Sequence, residues 1–174
     1  RGHVRGQDAG TPGPQRAPSL MPEQPDLDAA VSVWGHGTFI ALLYRLTNWQ
    51  PNAKKLLARC GRCDRLDALP SDLSQGLKRQ LALVMALLRG AEVMLLDEPF
   101  NGLDPRSASE LRSIVRGLAA AGACVLVSTH ILSDVERISD RAIVLDRAPK
   151  KAEGTPDELR RQAGPAPGAD PEAA

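Results

Sequence analysis

Net charge, aromatic residues and cysteine are all scarce in this 174-residue chain, as are long apolar runs. The charge balance of 22 basic against 21 acidic residues gives no electrostatic case for binding nucleic acid or an anionic membrane surface. Aromatic residues are 3% of the chain, which by itself says little about chemistry. The longest apolar run, Leu81 to Leu88, is far short of the roughly 20 residues of a membrane span. The opening Arg1-Gly2-His3-Val4 shows no secretory pattern and no methionine, so Arg1 need not be the natural start. Three cysteines without a signal peptide fit a reducing cytosol. Cys60-Gly61-Arg62-Cys63 has C-x2-C spacing, but structural zinc needs four ligands, and only Cys124 and three scattered histidines remain to supply them. It also closes an apolar helical run, so packing is the favoured reading over zinc or redox chemistry. With 43% hydrophobic and 25% charged residues, the chain reads as one soluble domain or a large piece of one.

Residues 1–25 are rich in Gly, Pro and Gln, and five prolines between 12 and 25 prevent a long helix. Phe39, Leu42, Leu43 and Leu46 repeat at helical spacing, with Gly35 and Gly37 placed to weaken the first turn. Further helices are expected over 52–60 and 76–89, the latter stopped by Gly90. Another is expected after Asp104, with Pro105 at its first position, Leu111, Ile114, Val115 and Leu118 as its stripe, and Gly122 as its end. Ser133 to Glu136 and Thr155 to Glu158 read as capping boxes. Val93 to Leu96, Cys124 to Val127 and Ala142 to Leu145 are short apolar runs with the pattern of buried strands. Strands alternating with helices imply an α/β fold with a parallel sheet covered by helices. The tail from Gly164 reads as disordered.

The strongest chemical signal is Val93-Met94-Leu95-Leu96-Asp97-Glu98-Pro99. Four apolar residues followed by two acids place both carboxylates at the carboxyl end of a buried strand, where parallel sheets bind ligands. A first carboxylate there suits Mg²⁺ and a second suits a general base on water, although many strands simply end in solvated acids. Leu73-Ser74-Gln75-Gly76 leads into a helix whose free amides form an anion-binding cup; an ordinary Ser cap has the same pattern. Ser128-Thr129-His130 brings a histidine to the same sheet edge as Glu98, and Asn101-Gly102-Leu103-Asp104 follows the acid pair directly.

Taken in order, these elements resemble the nucleotide-binding domain of ABC transporters, a P-loop NTPase fold with a small helical subdomain. Leu73 to Gly76 looks like the signature motif, Val93 to Glu98 the Walker B strand, Asn101 to Asp104 the D-loop and His130 the switch histidine. Met21 to Pro25 looks like the Q-loop, with either Glu23 or Gln24 at the glutamine position. The flavour of Ser-Gln-Gly-Leu-Lys-Arg-Gln and Asn-Gly-Leu-Asp-Pro is similar to bacterial drug and ABC-2-type exporters. The resemblance implies four regions: a residual strand and Q-loop at 1–25, a helical signature subdomain at 26–90, an ATPase core at 91–162 and a tail at 163–174. It implies ATP and Mg²⁺ as ligands, with Glu98 and His130 catalytic and Asp97 and Gln24 toward the metal. Ser74, Gln75, Gly76, Asp104 and Glu23 or Gln24 would contact nucleotide. It further implies a head-to-tail pair with a second such domain, a membrane-spanning permease partner and a peripheral place at the inner face of the cell membrane. No nucleic-acid partner is implied; the interval between Gln24 and Ser74 is too short for the coiled coil of the superfamily's DNA-repair members.

The family's first motif, Gly-x4-Gly-Lys-Ser/Thr, is absent: none of the five lysines follows a glycine. Its strand is central by resemblance, so without it the sheet is expected to have an unpaired edge, and the isolated chain to be inactive and molten or poorly soluble. Met85 stands at a usual arginine, Gly35 and Gly37 at helix formers, and Pro149-Lys150-Lys151 interrupts a usual hairpin. The chain thus reads as a fragment of an ATP-hydrolysing exporter subunit. The alternatives are a non-catalytic module supplying the signature in trans, or a degenerate remnant.

Overall fold

The computed structural model describes residues 3–4, 7–8, 18–59, 65–147 and 149–163. The chain divides into two compact units, Arg1–His130 and Ile131–Ala174. The first unit begins with two-residue strands β1 (His3–Val4) and β2 (Gln7–Asp8), paired antiparallel, and continues to β3 (Ser19–Met21). Pro18 and Pro22 bracket β3 so closely that its three residues carry no legible period. Helices α1 (Val33–Leu43), α2 (Trp49–Arg59) and α3 (Gln75–Leu88) follow, then β4 (Val93–Asp97), α4 (Pro105–Ala120) and β5 (Cys124–Ser128).

Local chemistry accounts for most of these boundaries. Ser32 caps α1 by accepting from Gly35 N at 3.1 Å, and Ser74 caps α3. Gly90 at φ +62° and Gly122 at φ +93° stop α3 and α4, because their left-handed backbone is one that side chains resist. Pro105 opens α4 behind Asp104, where its missing N–H breaks no helical bond.

Strands β3, β4 and β5 form a parallel sheet in that order, with Leu20 opposite Leu95 and Leu95 opposite Leu126. Alternation gives the sheet two unlike faces. Ser19, Met21, Met94 and Leu96 are fully buried on one of them. Ser19 Oγ donates to the Ala86 carbonyl of α3 at 2.9 Å on that side. Met21 shares a cavity wall with Leu83, Leu111 and Ile114, so α3 and α4 cover it. The opposite face carries the row Leu20, Leu95 and Leu126, in which Leu20 is 61% and Leu126 60% exposed. Parallel sheets ordinarily bury both faces; among the described residues this one buries a single face. Among the described strands β5 also pairs only with β4. The sequence reading of Cys124 to Val127 as a buried strand is thereby corrected: its central leucine is among the most exposed.

The helical part of this unit has its own core of Val33, Leu57, Leu73, Leu81, Val84 and Met85. Burying one such aliphatic side chain contributes about 1.5–3 kcal/mol. The stripe of α1 turns out opposite to expectation. Phe39, Leu42 and Leu43 are exposed, whereas Val33, Gly37 and Ala41 are buried. The reason is Gly37. A Cβ there would stand 3.0 Å from Trp49 Cζ3 and 4.0 Å from Met85 Cε, so the small face of the helix must face inward. At Gly35 a Cβ would meet Val31 Cγ1 at 2.8 Å. Trp49 in turn lies 4.8 Å, centroid to centroid, from Trp34. Gly35 and Gly37 thus stand where neighbouring side chains leave little room for a Cβ, and Met85 packs beside Gly37.

The second unit holds α5 (Leu132–Ile138), strands β6 (Ala142–Leu145) and β7 (Lys150–Gly154), and α6 (Pro156–Ala163). The capping box expected at Ser133 does not form; α5 starts two residues earlier, at Leu132 behind Ile131, with no side-chain cap. The box at Thr155 does form, with Thr155 N donating to Glu158 Oε2 at 2.8 Å and Glu158 N to Thr155 Oγ1 at 3.2 Å. β6, expected as a third parallel strand, pairs antiparallel with β7. Its hairpin survives Pro149 through a register shift between Val144 and Leu145, which absorbs the extra residue. The C-x2-C segment at 60–63 and the tail from 164 lie outside the described residues.

Replacing Gly37 by alanine should destabilise the fold by about 1 kcal/mol, because overpacking against Trp49 outweighs the gain in helix propensity. Urea unfolding followed by tryptophan fluorescence reads this directly; a raised midpoint would show that the Trp49 ring gives way.

Candidate functional site

The β4–β5 ladder places Asp97 opposite Ser128, so both strands end in polar side chains at the same sheet edge. Ser128 Oγ donates to Asp97 Oδ1 and lies 3.5 Å from the Leu96 carbonyl. The next residue leaves the strand sharply. Glu98 has φ +44°, a left-handed conformation costing about 1–2 kcal/mol outside glycine. Its N–H still donates to the Ser128 carbonyl at 3.0 Å, and Asn101 N returns to the Glu98 carbonyl at 3.2 Å. Buried Pro99 and Phe100 hold the turn from beneath.

This turn directs the Glu98 carboxylate at His130. Glu98 Oε1 and His130 Nδ1 are 2.8 Å apart, with the carboxylate largely buried and the ring mostly exposed. The hydrogen bond and charge of Glu98 raise the His130 pKa above its usual value, and Glu23 adds a smaller contribution. The other carboxylate oxygen, Oε2, is buried without a hydrogen-bond partner. A buried acceptor left open costs about 1–3 kcal/mol, and a bound water or substrate hydroxyl would satisfy it.

A second cluster gathers around the start of α3. Ser74 Oγ accepts from Leu77 N at 3.4 Å, and Gln75 is exposed at the first helical position. Gly76 sits against the following turn, where a Cβ would be 3.5 Å from the Gly102 carbonyl. Asp104 caps α4, its Oδ1 accepting from Arg106 N and Ser107 N, both at 3.0 Å, and its Oδ2 from Ser107 Oγ at 2.6 Å. Those bonds, led by the Ser107 hydroxyl, hold its pKa below the usual carboxylate value. Ser74, Gly76, Arg79, Gly102 and Asp104 all line one cavity of about 770 Å³.

The two candidates in the 21–25 segment are treated differently. Glu23 is half-buried, its Oε1 accepting from Asn101 Nδ2 at 3.3 Å and lying 3.9 Å from Arg79 Nη2. Gln24 is exposed. Among the described residues no group of three or more His, Cys, Asp or Glu side chains gathers to hold a metal. The donor chemistry nevertheless fits Mg²⁺ with phosphate present: Asp97 offers a hard carboxylate at the sheet edge, and Mg²⁺ keeps its remaining positions for phosphate oxygens and water. Three participants were given no role of their own in the sequence reading. Ser128 was legible from strand register, since it ends β5 as Asp97 ends β4. Asn101 lay within the Asn101–Asp104 motif, but its contact with Glu23, like that of Arg79, is made only across the fold.

Residues 56–133 match the family described as AAA domain, putative AbiEii toxin, Type IV TA system. The chain is 34% identical over 158 residues to the Nod factor export ATP-binding protein I of Rhizobium meliloti, covering 86% of this chain and 47% of that protein. It is 34% identical over 148 residues to the ABC-type transporter ATP-binding protein EcsA of Bacillus subtilis (strain 168), covering 84% and 60% respectively. A solved structure of the ATP-binding subunit of an ABC transporter superimposes with a TM-score of 0.78 at 34% identity, covering 84% of this chain and 62% of that one. The chain spans about half the length of the curated relatives it matches. With a parallel sheet flanked by helices and these relatives along most of its length, the chain belongs to the ATP-binding domain family of ABC transporters.

Proposed function

We propose that these residues form the Walker B and signature half of an ATP-hydrolysing subunit of an ABC-type exporter, whose P-loop must come from outside the 174 residues. The observation that carries this reading is the Glu98–His130 pair, with Glu98 Oε2 buried and open beside it. Glu98 takes the proton of an attacking water at Oε2 while its other oxygen is held by His130. His130, cationic below its raised pKa, is exposed enough to meet a terminal phosphate. Asp97 holds the metal side of the site, its carboxylate oriented by Ser128, and Glu23 or Gln24 approaches from the 21–25 segment. When bound, Mg²⁺ would draw together phosphate oxygens and neutralise charge developing on them.

Ser74, Gln75, Gly76 and Asp104 would face a nucleotide held by a second ATP-binding domain, in a head-to-tail pair. One further observation favours this contribution in trans: Ser74, Gly76 and Asp104 line one cavity. The exposed Leu20 and Leu126 on one face, and the lack of a second partner for β5 among the described strands, support the view that further polypeptide completes the sheet. By the same reading, residues 26–90 form the helical subdomain and 91–162 the ATPase core. The exposed Phe39, Leu42 and Leu43 of α1 would meet a cytoplasmic loop of a membrane-spanning permease. No described helix is long and apolar enough to cross a membrane, and attachment would be peripheral. Export comes from the relatives' function; the cargo would be chosen by the permease.

Intact-mass measurement in the source cells, followed by ATPase assay of the species found, tests the proposal. A polypeptide several kilodaltons above 18.6 kDa is expected to hydrolyse ATP, and Glu98→Gln should lower its kcat by about 10²–10⁴. A heavier species that hydrolyses ATP equally well with Glu98→Gln would remove Glu98 from the chemistry. The 174-residue chain alone should show no hydrolysis; activity on mixing with an intact ATP-binding subunit, abolished by Ser74→Arg, would establish the contribution in trans. NMR titration of the histidines should find His130 above about 6.5 and Glu98→Gln returning it toward that value. Because the shift is upward, the pair supports the fold fully below about pH 6.5 and its support fades as pH rises through the folded pKa.

A further inference from the structure

Arg79 stands at the fifth residue of α3, its side chain only 15% exposed, and reaches across to the turn that follows Glu98. Its Nη1 donates to the Asn101 carbonyl, and the position a Cβ would take on Gly102 is 3.5 Å from that same nitrogen. Its Nη2 lies 3.9 Å from Glu23 Oε1, which also accepts from Asn101 Nδ2 at 3.3 Å. Three segments distant in sequence therefore close a ring: the 21–25 segment, the N-terminal half of α3 and the 101–104 turn. Gly76 lies beside the same turn, where a Cβ would be in ordinary contact, 3.5 Å from the Gly102 carbonyl.

The members of the ring contribute unequally. Glu23 is 44% exposed and 3.9 Å away, so its ion pair with Arg79 contributes under about 1 kcal/mol. The bond from the part-buried guanidinium to a backbone carbonyl is charge-assisted and carries more. A planar fork can serve the carbonyl and the carboxylate together, which an ammonium cannot.

We propose that Arg79 is a positioning residue that locks the start of α3, the Asn101–Gly102 turn and Glu23 into one body. Ser74 and Gly76 then keep a fixed spacing from Asp104, and both keep a fixed spacing from the Glu98–His130 pair. Movement of the 21–25 segment is transmitted to the 101–104 turn through the guanidinium without involving nucleotide. The idea rests on the reading of these clusters as the two halves of an ATP site, although the coupling itself exists in the chain without ligand.

Amide hydrogen exchange of the complete chain, resolved by mass spectrometry, provides the test. In Arg79→Ala, exchange of the Asn101 and Leu103 amides should quicken by about tenfold or more, reflecting loss of a charge-assisted bond to their turn. Exchange over Val84 to Leu88 and in β4 should stay within twofold. Arg79→Lys should restore the Asn101 and Leu103 amides partly, and Glu23→Ala should affect them less than Arg79→Ala does. Unchanged exchange in the turn would overturn the proposal. So would acceleration spread equally over the chain, or a lysine variant that behaves like alanine, since either marks simple loss of packing. Because no nucleotide enters the measurement, its failure is separate from failure of the ATPase reading. In an assembly that hydrolyses ATP, Arg79→Ala should lower kcat at least tenfold and Arg79→Lys should recover part of it.

Discussion

Parallel pairing of β4 with β5, residue for residue from Val93–Cys124 to Asp97–Ser128, is the constraint on which the candidate site depends. Parallel strands end together, so polar residues that follow two apolar runs arrive at one edge. Ser128 can then hold Asp97, and its carbonyl can receive the Glu98 amide. That last bond anchors the left-handed turn which swings Glu98 out of the sheet toward His130. A slip of one residue would exchange the faces of Asp97 and Leu96 and dissolve the arrangement. The buried Met94 and Leu96 oppose that slip, because they fit only beneath the helices.

Among the described residues the same sheet is covered on one face only. One side is sealed by α3 and α4 over Met21, Met94 and Leu96, and the other presents a leucine row to solvent. The imbalance bears on stability and on function together. Uncovered apolar area is a liability for association, and the uncovered side is also the side on which Asp97 emerges at the strand end. Glu98 is hydrogen-bonded to His130, and Arg79 of α3 is hydrogen-bonded to the Asn101 carbonyl in the turn that follows Glu98.

The helical part illustrates how local rules are overridden by packing. A glycine in mid-helix costs about 1 kcal/mol against alanine, and α1 contains two. The space a methyl would need is occupied at Gly37 by Trp49 of α2 and at Gly35 by Val31, just ahead of α1 itself. The larger residues of α1 are consequently turned outward, leaving Phe39, Leu42 and Leu43 free on a helix whose inner face is small. Met85 fills the irregular space beside Trp49, a use suited to its flexible thioether.

The α/β class, the ends of α3 and α4 and the acid pair at the end of β4 were all legible in the amino-acid sequence. Each is set by short-range chemistry: an apolar run, a Ser or Asp cap, a proline at the first turn, a glycine at the last. The closing hairpin, the outward face of α1 and the start of α5 were not, because periodicity marks an apolar stripe without saying what lies opposite it. Nor could the sequence choose between Glu23 and Gln24 as the residue tied into the cluster. That choice was made by Asn101 and Arg79, which approach Glu23 from remote segments. Tertiary structure alone decided which side of the sheet is covered and which remote segments meet around Arg79 and Asn101, since both depend on contacts between residues far apart in the chain.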